Sequence, residues 1–94
     1  MMRAVQLADL EYVTRALLAV PAAARVALLD DMLDTAARGY AYHRITGSAH
    51  PQHGVGTLMS VATRLPLAPR SAALDREYLR CLAMIARRIG RVSS

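Results

Sequence analysis

Apolar residues recur every three or four positions in three stretches of this 94-residue chain, and proline or glycine interrupts the run between one stretch and the next. That period belongs to an α-helix with one face in a core, and it does not fit the strict alternation of a half-buried strand. Leu10, Val13, Leu17 and Val20 set a first helix over Asp9 to Ala19, with Asp9 able to cap its exposed amides. Pro21 opens a second helix, in which Val26, Leu29, Leu33, Ala36 and Tyr40 continue the spacing as far as Thr46, with Gly47 past the end. At about 1.5 Å per residue it is about 37 Å long, and Gly39 is its weak point. Thr57 caps a short third helix, "LMSVATRL", which Pro66 stops. "PLAPRSAA" is a stiff break, and Asp75 then caps a last helix with Tyr78, Leu82, Ile85 and Ile89 on one side. The expectation is all-α: a single domain over residues 1–94, built as a small bundle of about four helices with one long central helix. A chain this short buries a limited core, so self-association is expected as well.

Charge divides the chain. Residues 1–34 hold three Arg and five carboxylates, whereas residues 35–94 hold nine Arg and two carboxylates, and no acid occurs between Asp34 and Asp75. Such lopsidedness points to a polyanionic partner, either nucleic acid or an acidic protein surface. Every side-chain ammonium or guanidinium is Arg, since the chain has no Lys, which is a codon signal before it is a functional one. Asp30, Asp31 and Asp34 lie away from the apolar stripe and read as a solvated acidic face. Cys81, the only cysteine, excludes an internal disulfide and reads as a buried small apolar residue. No run reaches the roughly 18 apolar residues of a membrane span, and Asp9 and Glu11 come too early for a signal peptide, so a cytoplasmic protein without membrane contact is expected.

On the last helix, Arg76, Arg80, Arg87 and Arg91 fall within an arc of about 60°, nearly opposite the apolar side, with Arg88 next to the stripe. Planar guanidinium groups bind two phosphate oxygens at once, and a line of them follows a nucleic-acid backbone without reading bases. There is also an ordinary reading: a surface helix in a lysine-free chain shows Arg on its wet face, and Arg87 and Arg88 suit the helix dipole.

The segment "YHRITGSAHPQHGVG" gathers His43, His50 and His53. No carboxylate or thiol lies near them to complete a metal shell, and Pro51 holds His50 in extended backbone, so no metal and no cofactor are expected. Ser48 and Ser60 lack an acid to orient a histidine base, and "GVGT" lacks the lysine of a phosphate loop, so no enzyme activity is expected. Gly47, Gly54 and Gly56 instead make the segment a shaped connector, whose His43, Arg44, His50 and His53 can meet phosphate or a partner's carboxylates.

Residues 43–62, "HRITGSAHPQHGVGTLMSVA", resemble the central signature of a family of short, arginine-rich alphaproteobacterial proteins associated with gene transfer agents, in the position of a small terminase subunit. The likeness rests on His50-Pro51 followed by Gly54-x-Gly56-Thr57-Leu58-Met59, and with the flanking helices it covers most of the chain. The resemblance implies a non-enzymatic DNA-packaging protein that forms a homo-oligomeric ring, contacts double-stranded DNA, and presents it to a large terminase carrying the ATPase and nuclease. Phage small terminases often place a helix-turn-helix module ahead of an oligomerisation core, and this chain is too short to hold both, which favours weak, non-specific DNA contact. Arg44, Arg76, Arg80, Arg87, Arg88 and Arg91 are the expected DNA contacts. Leu29, Leu33, Ala36 and Tyr40 either line the chain's own core or seal subunits against each other. The alternative function is a helical adaptor that binds an acidic protein partner and no DNA.

Overall fold

A computed structural model describes residues 4–52, 54, 56–70 and 75–93. Four α-helices form among them: α1 over Leu7–Leu18, α2 over Arg25–Thr46, α3 over Leu58–Ala62 and α4 over Arg76–Ser93, with a 3-10 turn over Ala22–Ala24 ahead of α2. No strand forms among the described residues. The one strand-like pairing is between His50 and Gly54, whose backbone N–H groups and carbonyls exchange hydrogen bonds of 2.9 and 3.0 Å. The expected all-α bundle with one long helix is thus what the chain builds.

Helix boundaries differ from the spacing-based expectation for local reasons. Asp9 does not precede α1 but sits in its first turn, where its Oδ2 accepts the Gln6 N–H at 2.7 Å, so the helix begins at Leu7. Pro21 leads into the 3-10 turn, and α2 proper begins at Arg25 and is about 33 Å long. Gly39 is buried and α2 passes through it unbroken. Gly47 ends the helix in the left-handed region with φ of 76°, its N–H bonded to the His43 carbonyl at 2.8 Å. Thr57 and Asp75 cap as expected: Thr57 Oγ1 accepts the Ser60 N–H, and Asp75 Oδ1 accepts the Tyr78 N–H. The short α3 stops at Ala62 because Arg64 and Leu65 donate to carbonyls only three residues back, tightening the chain before Pro66.

One cluster of apolar side chains joins all four helices. Val13, Ala16 and Leu17 of α1 meet Leu29, Met32, Leu33 and Ala36 of α2, Leu58, Val61 and Ala62 of α3, and Cys81 and Ile85 of α4. The helix with most neighbours is α1, which packs chiefly against α3 and α4 and less extensively against α2. This explains why two of its polar residues are buried. Asp9 is 4 % exposed, and Thr14 is fully buried with its hydroxyl donating to the Leu10 carbonyl at 2.6 Å. The segment after α3 lies along α1: the Ala68 N–H donates to the Arg15 carbonyl at 2.9 Å, Arg15 Nε donates to the Ala68 carbonyl at 2.8 Å, and Arg70 pairs with Glu11 at 3.0 Å.

Arg25 is the second buried polar hinge of the fold. Its Nε donates to the Leu17 carbonyl at 2.9 Å near the end of α1, and its terminal nitrogen pairs with Glu77 in the first turn of α4 at 2.6 Å. Three helices therefore meet at one guanidinium. Cys81 is buried as expected; burial pushes its thiol above the usual value, Arg25 acts in the opposite sense, and Glu77 and Asp75 act in the same sense as burial.

Candidate functional site

The arginine stripe expected on the last helix is present and faces solvent. Arg76, Arg80, Arg87 and Arg91 of α4 are exposed, while Cys81 and Ile85 on the far side are buried. From Arg76 to Arg91 the stripe is about 22 Å long, at about 1.5 Å per residue. Among the described residues, no carboxylate pairs with Arg76, Arg80 or Arg87. Arg88 is placed differently: it turns toward α2 and pairs with Asp30 at 3.0 Å, so it ties two helices together. Asp30 is for the same reason not a purely solvated acid, whereas Asp31 is exposed and Asp34 pairs one turn along with Arg38.

A groove runs beside the stripe. Because α4 rests on α1, it meets the first turns of α2 through the ion pairs Arg25–Glu77 and Arg88–Asp30, and it stands away from α2 between them. The gap is an open groove of about 490 Å³, lined by the apolar Val26, Ala83 and Met84 together with Arg80, Arg87, Arg88 and Arg91. A second depression of about 390 Å³ shares Arg80 and Met84 and continues toward Ala22 and Arg76. Val26 carries a correction: its spacing puts it in the apolar stripe of α2, but it is 45 % exposed and lines this groove. On the helix wheel Met84 lies between Arg91 and Arg88, away from the apolar side of α4, a placement legible in the sequence spacing.

The other expected contacts lie elsewhere. Arg44 is in the last turns of α2, about 21 Å along the helix from Asp30, and its guanidinium lies 5.7 Å from the centre of the Tyr40 ring. It is not part of the α4 groove. His43 is half-buried in the same turns. His50 packs edge-on against Tyr42 with ring centres 4.7 Å apart, and its Nδ1 accepts the Gln52 N–H at 3.0 Å. That hydrogen bond and the His50–Gly54 pairing make the imidazole part of the turn. His53 lies outside the described residues. Among the described residues, no three His, Cys, Asp or Glu side chains come together as a metal set.

The connector's glycines have the role their number suggested. Gly47, Gly54 and Gly56 all take positive φ, and at Gly56 a Cβ atom would lie 2.5 Å from the Tyr40 Cα. The returning chain presses directly on α2 there, which only glycine permits.

Most of the proposed subunit-sealing residues are claimed by the fold itself. Leu29 and Ala36 are fully buried, Leu33 is 8 % exposed, and Tyr40 is half-buried. Of the two alternatives left by the sequence, the chain's own core takes Leu29, Leu33 and Ala36, whereas Tyr40 lies outside that core cluster and keeps part of its surface open. Large apolar side chains that do reach solvent include Leu7 and Ile45, each 85 % exposed. Among the described residues, no helix is long and apolar enough to cross a membrane.

No curated protein and no solved structure matches the chain. Residues 3–89 match the family described as Domain of unknown function (DUF7742), a span that takes in α1, α2, α3 and most of α4, and the chain belongs to that family.

Proposed function

We propose that this protein is a non-enzymatic DNA-packaging accessory of the small-terminase kind, acting in the cytoplasm. It holds double-stranded DNA weakly and without sequence preference, and it docks onto a large terminase that supplies the motor and nuclease. The observation that carries the reading is the exposed row of Arg76, Arg80 and Arg87, which meets no carboxylate among the described residues and continues to the exposed Arg91. A row of guanidinium groups on one helix face can follow phosphates, and an electrostatic contact of this kind is independent of sequence. The likeness of residues 43–62 to gene-transfer-agent proteins and the net charge of +5 support the same reading. Assembly as a ring belongs to this proposal too, through surfaces other than Leu29, Leu33 and Ala36.

A second reading, an adaptor for an acidic protein partner without DNA, is favoured by the apolar lining beside the stripe. Duplex binding measured against salt separates the two. Four phosphate contacts give a slope of about −3.6 in log affinity against log salt, a loss on the order of 100-fold between about 50 and 200 mM. Replacing Arg76, Arg80, Arg87 and Arg91 with Gln is expected to abolish that dependence. A wild-type protein that binds no duplex at low salt, yet retains an ATPase partner, establishes the adaptor reading instead.

A further inference from the structure

A phosphate backbone needs only the cations of α4 and has no use for what lies between them. Val26 is 45 % exposed, Ala83 is exposed, and Met84 is half-buried, and together they give the groove apolar lining open to water beside the arginines. The lining is extended by the apolar stems of the arginines themselves. Met adapts its three rotatable bonds to whatever shape is laid on it, which suits a recognition surface better than a fixed core. The nearest acids leave two of the lining arginines unneutralised: Asp30 is taken by Arg88 and Glu77 by Arg25, so Arg80 and Arg87 line the groove with no carboxylate partner among the described residues.

We propose that this groove is the docking site for an acidic amphipathic helix of a protein partner. The two depressions share Arg80 and Met84 and together follow α4 from Arg76 to Arg91, about 22 Å, the length of a helix of about 15 residues. A stripe of apolar residues at steps of three and four lies on Val26, Ala83 and Met84, and carboxylates beside that stripe meet Arg80 and Arg87. The occupant is a protein helix and not a duplex, because a duplex leaves the apolar lining wet. It is not a second copy of this chain, because the candidate acidic face of α2 offers Asp30, Asp31 and Asp34, two of which already pair within the chain. The inference goes beyond the packaging reading, which requires the charges alone.

The test uses the full chain and two synthetic peptides of about 15 residues with identical Leu and Glu content, one with the leucines on a single helix face and one scrambled. Fluorescence anisotropy at about 0.15 M salt is expected to show the amphipathic peptide binding about tenfold or more tighter than the scramble. Val26→Gln with Ala83→Gln changes two exposed positions. It is expected to weaken the amphipathic peptide about tenfold while leaving affinity for a duplex of about 20 base pairs within about twofold. In the wild-type protein, where no variant has to fold, the peptide is expected to move the Met84 methyl resonance, assigned with Met84→Leu. Equal binding of the two peptides overturns the proposal, as does a Met84 signal that stays in place. Loss of duplex binding in step with peptide binding assigns the groove to DNA and overturns it, and a change of oligomeric state in the double variant assigns it to a second copy with the same result. A protein that binds the peptide and no duplex keeps the groove and removes the packaging reading, so the two fail separately.

Discussion

The Asp9 carboxylate accepts the Met59 backbone N–H on Oδ1 at 2.8 Å and the Gln6 N–H on Oδ2 at 2.7 Å. One buried side chain therefore satisfies the open amides of two helices, α1 and α3, that are 50 residues apart in the chain. Negative charge at two helix N-termini also complements both dipoles. This bond holds the five-residue α3 in place; so short a helix has little stability of its own.

Replacing Asp9 with Ala removes two caps at once and is expected to cost about 2–3 kcal/mol, at about 1 kcal/mol per cap plus the burial of unpaired amides. Asp9→Asn keeps one acceptor but turns an amide NH₂ toward a backbone donor, so an intermediate loss is expected. Urea denaturation midpoints measure both; a loss below about 0.5 kcal/mol for Asp9→Ala contradicts the double-cap account.

Arg25 and Glu77 form one ion pair but contribute unequally. Arg25 is buried, bonds the Leu17 carbonyl and packs its stem in the fold, whereas the Glu77 side chain is 60 % exposed. Arg25→Ala is expected to destabilise by about 2–3 kcal/mol and Glu77→Ala by less than about 1 kcal/mol. Equal losses in thermal or urea unfolding rule out the α1 contact as the source of the difference.

The two ends of the connector test close approach against backbone angle alone. Both Gly47 and Gly56 have positive φ, but a Cβ at Gly47 meets nothing within 4 Å, and one at Gly56 meets the Tyr40 backbone at 2.5 Å. Gly47→Ala is expected to cost about 1–2 kcal/mol, the penalty for the left-handed region. Gly56→Ala has to displace the loop or α2 and is expected to cost about 3 kcal/mol or more. Circular dichroism melts of the two variants rank them directly.

Cys81 makes stability sensitive to alkali. Its thiol is raised in the folded protein, first by burial, so the folded state holds the proton more tightly than the unfolded one. That contribution is complete below the ordinary thiol value of about 8.5 and is lost as pH rises from there through the higher folded value. Comparing wild-type and Cys81→Ala unfolding between about pH 8 and 10 is expected to show the steeper decline in the wild type. Parallel curves exclude the thiol as the cause.

Arg88 and Arg87 are neighbours in sequence with different expected phenotypes. Arg87→Gln is expected to lower the duplex salt slope by about 0.9 and to leave stability unchanged. Arg88→Gln breaks the pair with Asp30 and is expected to cost up to about 1 kcal/mol with a smaller change in slope. Reversed results place Arg88, not Arg87, on the DNA.

Features set by neighbouring residues were readable from the chain alone. The helical spacing, the Thr57 and Asp75 caps, the stop at Gly47, the positive-φ glycines of the connector and the single arginine face of α4 all depend on backbone hydrogen bonding and the helical period, which act over a few residues. The Asp9 signal differed only in register, because an acid three residues past the cap position serves the helix start as well as one at it. What the tertiary structure decided involved partners more than 50 residues apart in several cases: Arg25 with Glu77, Arg88 with Asp30, and the burial of Leu29, Leu33 and Ala36 within one subunit. Spacing along one helix tells which residues share a face but not what that face meets. The seating of α4 on α1 was a choice among packings of similar helices. That choice opened the groove beside α2, exposed Val26 and Met84 to it, and turned a row of charges into a surface with an apolar lining.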